Sequence, residues 1–307
     1  MPVWLVTGAT GFLGRHVLDI LNEEIGPDVT VATLGRRPAG SWTFLDADLD
    51  EPESVNRAIA SIRPAVVLLL AGKTPPASDA ELFRANTRGT VHLLDALRAW
   101  GGAARVVLAG SAAELGPVAP EDLPAREEHP CRPSDRYGLS KHLATCAGLA
   151  ARPPLEVVSA RIFNPVGPGQ PATQALGRFA AQLADPLVST LTVGDLDARR
   201  DFLDVRDVAR ALIALAREGR PGLVYHVGSG RSRRVGDGLE HLIRLCGRSI
   251  EVRSDPRFAR VSGPVDSRAS IARIQAHTGW RPRIAWEQSL ADLWDEARRG
   301  PRLPLTA

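Results

Sequence analysis

Val3-Trp4-Leu5-Val6-Thr7-Gly8-Ala9-Thr10-Gly11-Phe12-Leu13-Gly14, residues 3–14, joins a short apolar run to a glycine-spaced turn and the start of an amphipathic stretch. Residues 3–7 read as a buried strand, and helical periodicity runs over 12–25. Gly8, Gly11 and Gly14 permit a tight turn and let a pyrophosphate approach backbone N–H groups, while the helix N-terminus adds partial positive charge. Strand, turn and helix in that order predict a dinucleotide site built by Gly8, Thr10, Gly11, Phe12, Leu13 and Gly14.

Working outward, apolar runs at 29–34, 43–45, 65–70, 105–109 and 156–162 alternate with helical patterns at 53–62, 79–100 and 134–151. This alternation predicts the α/β class, a Rossmann-type doubly wound parallel sheet with helices on both faces. The punctuation changes at Pro165-Val-Gly-Pro-Gly-Gln-Pro171, a Pro/Gly-rich loop suited to a domain crossing. Helical patterns at 173–184, 207–218, 237–246 and 286–299 follow, with short strands at 191–193 and 224–227. The expected organisation is an NAD(P)-binding domain over 1–163 with a return segment at 204–230. A smaller C-terminal α/β substrate-binding region is expected from 164–203 and 231–307.

With 307 residues, 44% of them hydrophobic, the chain can bury a large core, which argues against disorder. The longest apolar run, 65–72, is far short of the ~20 residues of a membrane-spanning helix. Met1-Pro2-Val3-Trp4 lacks the basic start of a signal peptide, so a cytoplasmic location and no membrane contact are expected. Cys131, Cys146 and Cys246 form no CxxC pair and leave one over, which suits a reducing compartment and structural thiols. The net charge of +3 comes from scattered arginines with few aromatics among them, so a nucleic-acid partner is not expected and small anions are. The seven histidines show no metal-ligand spacing, so no metal is expected.

An acidic residue ending the second strand would bind the adenine-side ribose of NAD. The chain instead reads Leu34-Gly35-Arg36-Arg37-Pro38, and Arg36 and Arg37 suit the 2′-phosphate of NADP by charge and fork geometry. NADP(H) is the expected cofactor, with NAD(H) possible. Asp48 and Leu49, after the third strand, either hold the adenine amino group or begin the next helix.

Tyr137-Gly-Leu-Ser-Lys141 places a phenol and an ammonium four residues apart on one helical face. A free tyrosine titrates near ~10, but an adjacent Lys⁺ and an oxidised nicotinamide⁺ would stabilise the phenolate. The phenol can then exchange a proton with a carbinol or ketone as hydride moves. The strand before 111 delivers Ser111 to the carboxyl edge of the sheet, where open α/β folds gather their ligands.

Together, Thr7-Gly8-x-x-Gly11-x-x-Gly14, the strand-end Ser111 and Tyr137-x-x-x-Lys141 resemble the extended short-chain dehydrogenase/reductase family, also called the NAD-dependent epimerase/dehydratase family, over nearly the whole chain. The resemblance implies a catalytic set of Ser111, Tyr137 and Lys141, with Tyr137 and Lys141 also touching the cofactor. It places Leu70, Ala71, Gly72 and Asn86, the last from Asn86-Thr-Arg-Gly-Thr90, beside the cofactor. It implies a nucleotide-diphosphate sugar substrate facing Ser111 and Ala112. Asn164 of Arg161-Ile-Phe-Asn-Pro-Val-Gly-Pro-Gly169 would touch the nucleotide-sugar, and Arg200 of Arg200-Asp-Phe-Leu-Asp-Val-Arg-Asp207 its diphosphate. Asp255-Pro-Arg-Phe-Ala-Arg260 and Thr278-Gly-Trp280-Arg-Pro282 look most like reductases of GDP-4-keto-6-deoxymannose and related 4-keto-6-deoxysugars, which adds Arg260 as a second nucleotide-contacting arginine. Where that group has Asp-x-Ser-Lys, this chain reads Ser270-Ile-Ala-Arg273. The helices at 79–100 and 134–151 resemble those pairing in a homodimer, with packing inside the chain as the alternative.

The residues after the strand-end hydroxyl separate the family's chemistries. A 4,6-dehydratase needs an acid and a base there, and Ala112 and Ala113 are neither. Glu114 falls one position late and is expected to be structural or solvent-facing. A 3,5-epimerase/reductase would place a cysteine near Ala112. The expected function is therefore NADP(H)-dependent hydride transfer at a sugar ketone, as a 4-ketoreductase of a nucleotide-linked 4-keto-6-deoxyhexose. The alternatives are a 4-epimerase using bound NAD and a non-catalytic NADP-binding regulator, whose mark would be a broken Tyr/Lys pair.

Overall fold

The computed structural model describes residues 1–24, 26, 29–255 and 266–300. The first half of the chain alternates as its apolar periodicity requires: β1 (Val3–Thr7), α1 (Phe12–Glu24), β2 (Thr30–Gly35), β3 (Thr43–Asp46), α2 (Pro52–Ile62) and β4 (Val66–Leu69). The expected helix over 79–100 is α3 (Asp79–Leu82), a π-helical turn (Phe83–Arg88) and α4 (Gly89–Trp100) run end to end. Ser78 starts it in a reciprocal box with Glu81, satisfying two N-terminal donors. Then come β5 (Ala104–Ser111), α5 (Arg136–Leu149) and β6 (Leu155–Ile162).

The second half comprises β7 (Asn164–Val166), α6 (Ala175–Ala184), β8 (Thr190–Val193), β9 (Arg199–Asp204), α7 (Val205–Glu218) and β10 (Val224–Val227). It ends with β11 (Ser232–Arg234), α8 (Val235–Cys246), β12 (Glu251–Ser254), α9 (Ala272–Thr278) and α10 (Trp286–Arg299).

The central sheet has the order β10-β6-β5-β4-β1-β2-β3, with every neighbouring pair parallel. The chain reverses direction across the sheet between β1 and β4, so a crevice opens there beyond the carboxyl ends of the strands. Interior strands are apolar on both faces, as a parallel sheet covered by helices demands: Val67, Leu68, Val106, Val107, Val157 and Val158 are all buried. Val17, Leu21, Val208 and Leu212 from α1 and α7 cover one face, and Val55, Ile59, Leu93 and Leu97 from α2 and α4 the other. Each such side chain stabilises the fold by about 1.5–3 kcal/mol.

The remaining strands form two small sheets, β11-β9-β7 and β12-β8, against a separate core that includes Leu176, Phe179, Leu239 and Leu290. Ile274 of α9 and Trp280, expected among the C-terminal region, pack instead into the core of the large sheet, where Trp280 Nε1 donates to Asp207 O at 3.1 Å. No helix among the described residues is long and apolar enough to cross a membrane.

Candidate active site

The glycine loop is as tight as its sequence implies. Thr7 Oγ1 accepts the N–H groups of Leu70 and Ala71, both at 3.1 Å, which pins the end of β4 against the turn after β1. Gly8 adopts φ 68°, and a Cβ there would stand 2.7 Å from Ala71 N. A Cβ on Gly14 would stand 2.2 Å from Gly8 O. The first turn of α1 carries no acidic residue, so its N-terminal donors face the crevice without a competing negative charge. This backbone cradle fits a dinucleotide pyrophosphate.

Arg36 and Arg37 are exposed just past β2, and Arg36 Nε lies 3.9 Å from Asp48 Oδ2. Asp48 Oδ1 also accepts Asp50 N–H at 3.0 Å, bending the chain toward α2, and Leu49 O contacts His92 Nδ1 at 2.7 Å. Asn86 lies in the π-helical turn and is buried. Its amide nitrogen donates to Lys73 O at 3.0 Å and Ser140 Oγ at 2.9 Å, and its oxygen accepts Lys73 N–H at 2.8 Å. Both amide hydrogens are thus committed within the protein. Asn86 therefore shapes the 70–73 loop, and a Cβ on Gly72 would stand 2.6 Å from its oxygen.

Helix α5 begins where it does because Asp135 accepts Gly138 N–H at 2.6 Å. That start puts Tyr137 in the first turn and Lys141 one turn on, against the end of β5. A Cβ on Gly138 would meet Ala113 O at 2.3 Å, so α5 lies directly on the turn after Ser111. Ser111 lies beside the half-buried Tyr137, and Lys141 Nζ lies 3.9 Å from where a Cβ on Gly72 would stand. The three residues therefore converge beside the glycine loop.

Burial pushes the Tyr137 phenol up, with the neighbouring Ser111 hydroxyl opposing and the charges of Glu114 and Asp135 reinforcing. Burial pulls Lys141 down to about 8. Desolvation, rather than the depression expected from Lys141, is the largest influence on Tyr137.

Glu114 corrects the expectation that it could face solvent, because it has no exposed surface. Its Oε1 accepts Ser111 N–H at 2.7 Å, and its Oε2 accepts Arg161 Nε and Nη2 at 3.4 and 3.2 Å. Arg161 Nη1 bonds His226 Nε2 at 3.2 Å, and His226 Nδ1 bonds Ala125 O at 3.2 Å. A guanidinium only donates and a carbonyl only accepts, so His226 is neutral with its proton on Nδ1. Burial and Arg161 agree with this, holding His226 down at about 3.

Donor atoms of Glu114, Cys131 and His142 also lie within 4.8 Å of one another, a clustering the sequence spacing concealed. Arg161 Nη2, 3.1 Å from Cys131 Sγ, already supplies the cation there, and burial pushes that thiol up.

On the substrate side, β7 runs parallel to β9 with Asn164 opposite Phe202, and Asn164 Nδ2 donates to Asp201 O at 3.2 Å. Arg200 is therefore on the strand beside Asn164, and Arg233 of β11 stands opposite Arg200. Arg260 lies outside the described residues. A separate cleft of about 770 Å³ is lined by residues such as Glu121, Arg126, Glu128 and Ser270, and by none of those expected at the site.

A model of the NAD dependent epimerase/dehydratase family matches residues 4–228. GDP-6-deoxy-D-mannose reductase of Pseudomonas aeruginosa is 33% identical over 299 residues, covering 93% of each chain. The dTDP-6-deoxy-L-talose 4-dehydrogenase (NAD(P)(+)) of Kitasatospora kifunensis is 29% identical over 310 residues, 96% of each. The solved structure of RMD from Pseudomonas aeruginosa complexed with NADPH superposes with a TM-score of 0.86 at 31% identity, covering 97% of this chain and 99% of that one.

Proposed function

The chain belongs to the NAD dependent epimerase/dehydratase family, and from that premise we propose an NADP(H)-dependent reductase acting on the 4-keto group of a nucleotide-linked 4-keto-6-deoxyhexose. The observation that carries the reading is the end of β5. There Ser111 lies beside Tyr137, Ala112 and Ala113 fill the positions where a dehydratase needs an acid and a base, and Glu114 is fully buried, which supports a single proton-donating pair. The named relatives, a GDP-6-deoxy-D-mannose reductase and a dTDP-6-deoxy-L-talose 4-dehydrogenase, support hydride chemistry on such sugars.

When bound, a nicotinamide would supply the hydride. Tyr137 donates its proton to the ketone oxygen, and burial suits it to that direction by keeping the phenol protonated at neutral pH. Ser111 orients the carbonyl, and Lys141 would hold the ribose hydroxyls of the bound cofactor and balance the charge that forms on Tyr137. Asn164, Arg200 and Arg260 are assigned to the nucleotide diphosphate, on residues 164–203 and 231–307 as the substrate-binding region. Helices α4 and α5 are assigned to a homodimer interface, on which Leu143 is 41% exposed. Three free thiols accord with a cytoplasmic location.

Incubation with a panel of nucleotide 4-keto-6-deoxysugars should oxidise NADPH in step with sugar consumed. Sugar interconversion without net NADPH loss would replace the reductase with a 4-epimerase using bound NAD, and NADPH binding without turnover of any panel member would favour a regulator.

The fork at the end of β2 gives a second expectation. Arg36→Asp removes a charge-assisted contact to the 2′-phosphate and repels it, so KM for NADPH should rise roughly 10- to 100-fold while KM for NADH holds or falls. Equal effects on both cofactors would remove Arg36 from the phosphate site.

A further inference from the structure

The described chain buries four carboxylates, Glu114, Asp201, Asp204 and Asp207. Asp201 gathers the N–H groups of Ser229, Gly230 and Ala269, Asp204 caps α7, and Asp207 receives those of Arg283 and Ile284. These three tie loops together. Glu114 differs, because its contacts lead to the strand-end serine. Burying a carboxylate is unfavourable unless it is paired and hydrogen-bonded, and Arg161 and Ser111 N–H meet that condition. Ser111 Oγ in turn accepts Ala113 N–H at 3.2 Å, which leaves its own hydrogen free to be donated beside Tyr137.

We propose that Glu114 is a positioning residue for the proton-donating pair, a role that rests on the reductase reading: it fixes Ser111 through its backbone N–H and sets a buried negative charge behind Tyr137 and Lys141. Tyr137, Lys141 and His142 face this charge from α5, with Cys146 farther along the same helix. Arg161 faces it from β6 and Cys131 from the loop before α5, with His226 of β10 beyond Arg161. Asp135 adds to the field at Tyr137. Glu114 pushes Tyr137 up and holds Lys141 up against its burial, so the site rests as phenol and ammonium, the forms that give a proton to a ketone.

Two substitutions separate contact from charge. Glu114→Gln keeps an acceptor for Ser111 N–H but removes the charge. Glu114→Asp keeps the charge but withdraws it by one methylene. The chain has two tyrosines, so phenolate absorbance, after subtraction of the Tyr137→Phe signal that leaves Tyr225, reports on Tyr137 alone. In Glu114→Gln the Tyr137 transition should move to lower pH. In Glu114→Asp it should stay in place while kcat for reduction falls roughly tenfold or more, with KM for NADPH unchanged. If Glu114→Gln fails to fold with Arg161 unpaired, the double variant Glu114→Gln/Arg161→Gln takes its place and should show a smaller downward move, because the Arg161 charge leaves with that of Glu114.

An unmoved transition in the charge-removing variant, or wild-type kcat in Glu114→Asp, overturns the proposal. The titration needs no substrate, so a wild-type protein that reduces no sugar would overturn the reductase reading alone.

Discussion

A Tyr137→Phe enzyme is expected to reduce its sugar ketone roughly a hundred to ten thousand times more slowly than wild type while binding NADPH unchanged. The phenyl ring fills the same space against the turn after Ser111, and the glycine loop and the arginines past β2 are untouched. Only the proposed proton donor is lost from beside Ser111. The pH profile sharpens the test. The proposed reduction uses the protonated phenol, so the wild-type rate should be level through neutral pH and fall as pH rises. The fall begins near 8, where Lys141 loses its charge, and continues as Tyr137, pushed up by burial, ionises. The reverse oxidation should rise over the same range. Tyr137→Phe should lose the Tyr137 part of this dependence together with its rate. Near-wild-type turnover would remove Tyr137 from the chemistry.

The placement of Tyr137, Lys141 and Ser111 was legible because it follows from local rules: a helical spacing of four and a strand whose apolar run points Ser111 at the sheet edge. The large sheet was legible for the same reason, since buried parallel strands are written as uninterrupted apolar runs. The network behind the site was not. Glu114, Arg161 and His226 come from segments 47 and 65 residues apart, and no local periodicity joins them. One signal was present in retrospect, an arginine inside the apolar run Val157-Val158-Ser159-Ala160-Arg161-Ile162-Phe163, where a charge must have a partner. β9 was hidden because it opens on Arg199-Arg200-Asp201, and α9 because it is seven residues long without a side-chain cap.

Gly14→Ala should weaken NADPH binding by roughly a hundredfold and lower Tm by roughly 5 °C or more. The added methyl would lie 2.2 Å from Gly8 O, 2.7 Å from Ala9 Cα and 2.9 Å from Ala9 C. All three are backbone atoms, so no flexible side chain can yield and α1 must move off the loop. That movement breaks the packing of Val17 and Leu21 in the core and displaces the helix N-terminus meant for the pyrophosphate. Gly11→Ala is the informative partner. Its methyl meets only Gly8 O, at 3.1 Å, which a shift of a few tenths of an ångström relieves. Stability should therefore suffer much less at residue 11, whereas affinity should fall comparably if a pyrophosphate approaches the backbone there. Thermal unfolding and NADPH titration of both variants separate the two effects: loss of affinity at residue 14 alone would mean that the glycines serve helix packing and that the ligand does not touch the loop at Gly11.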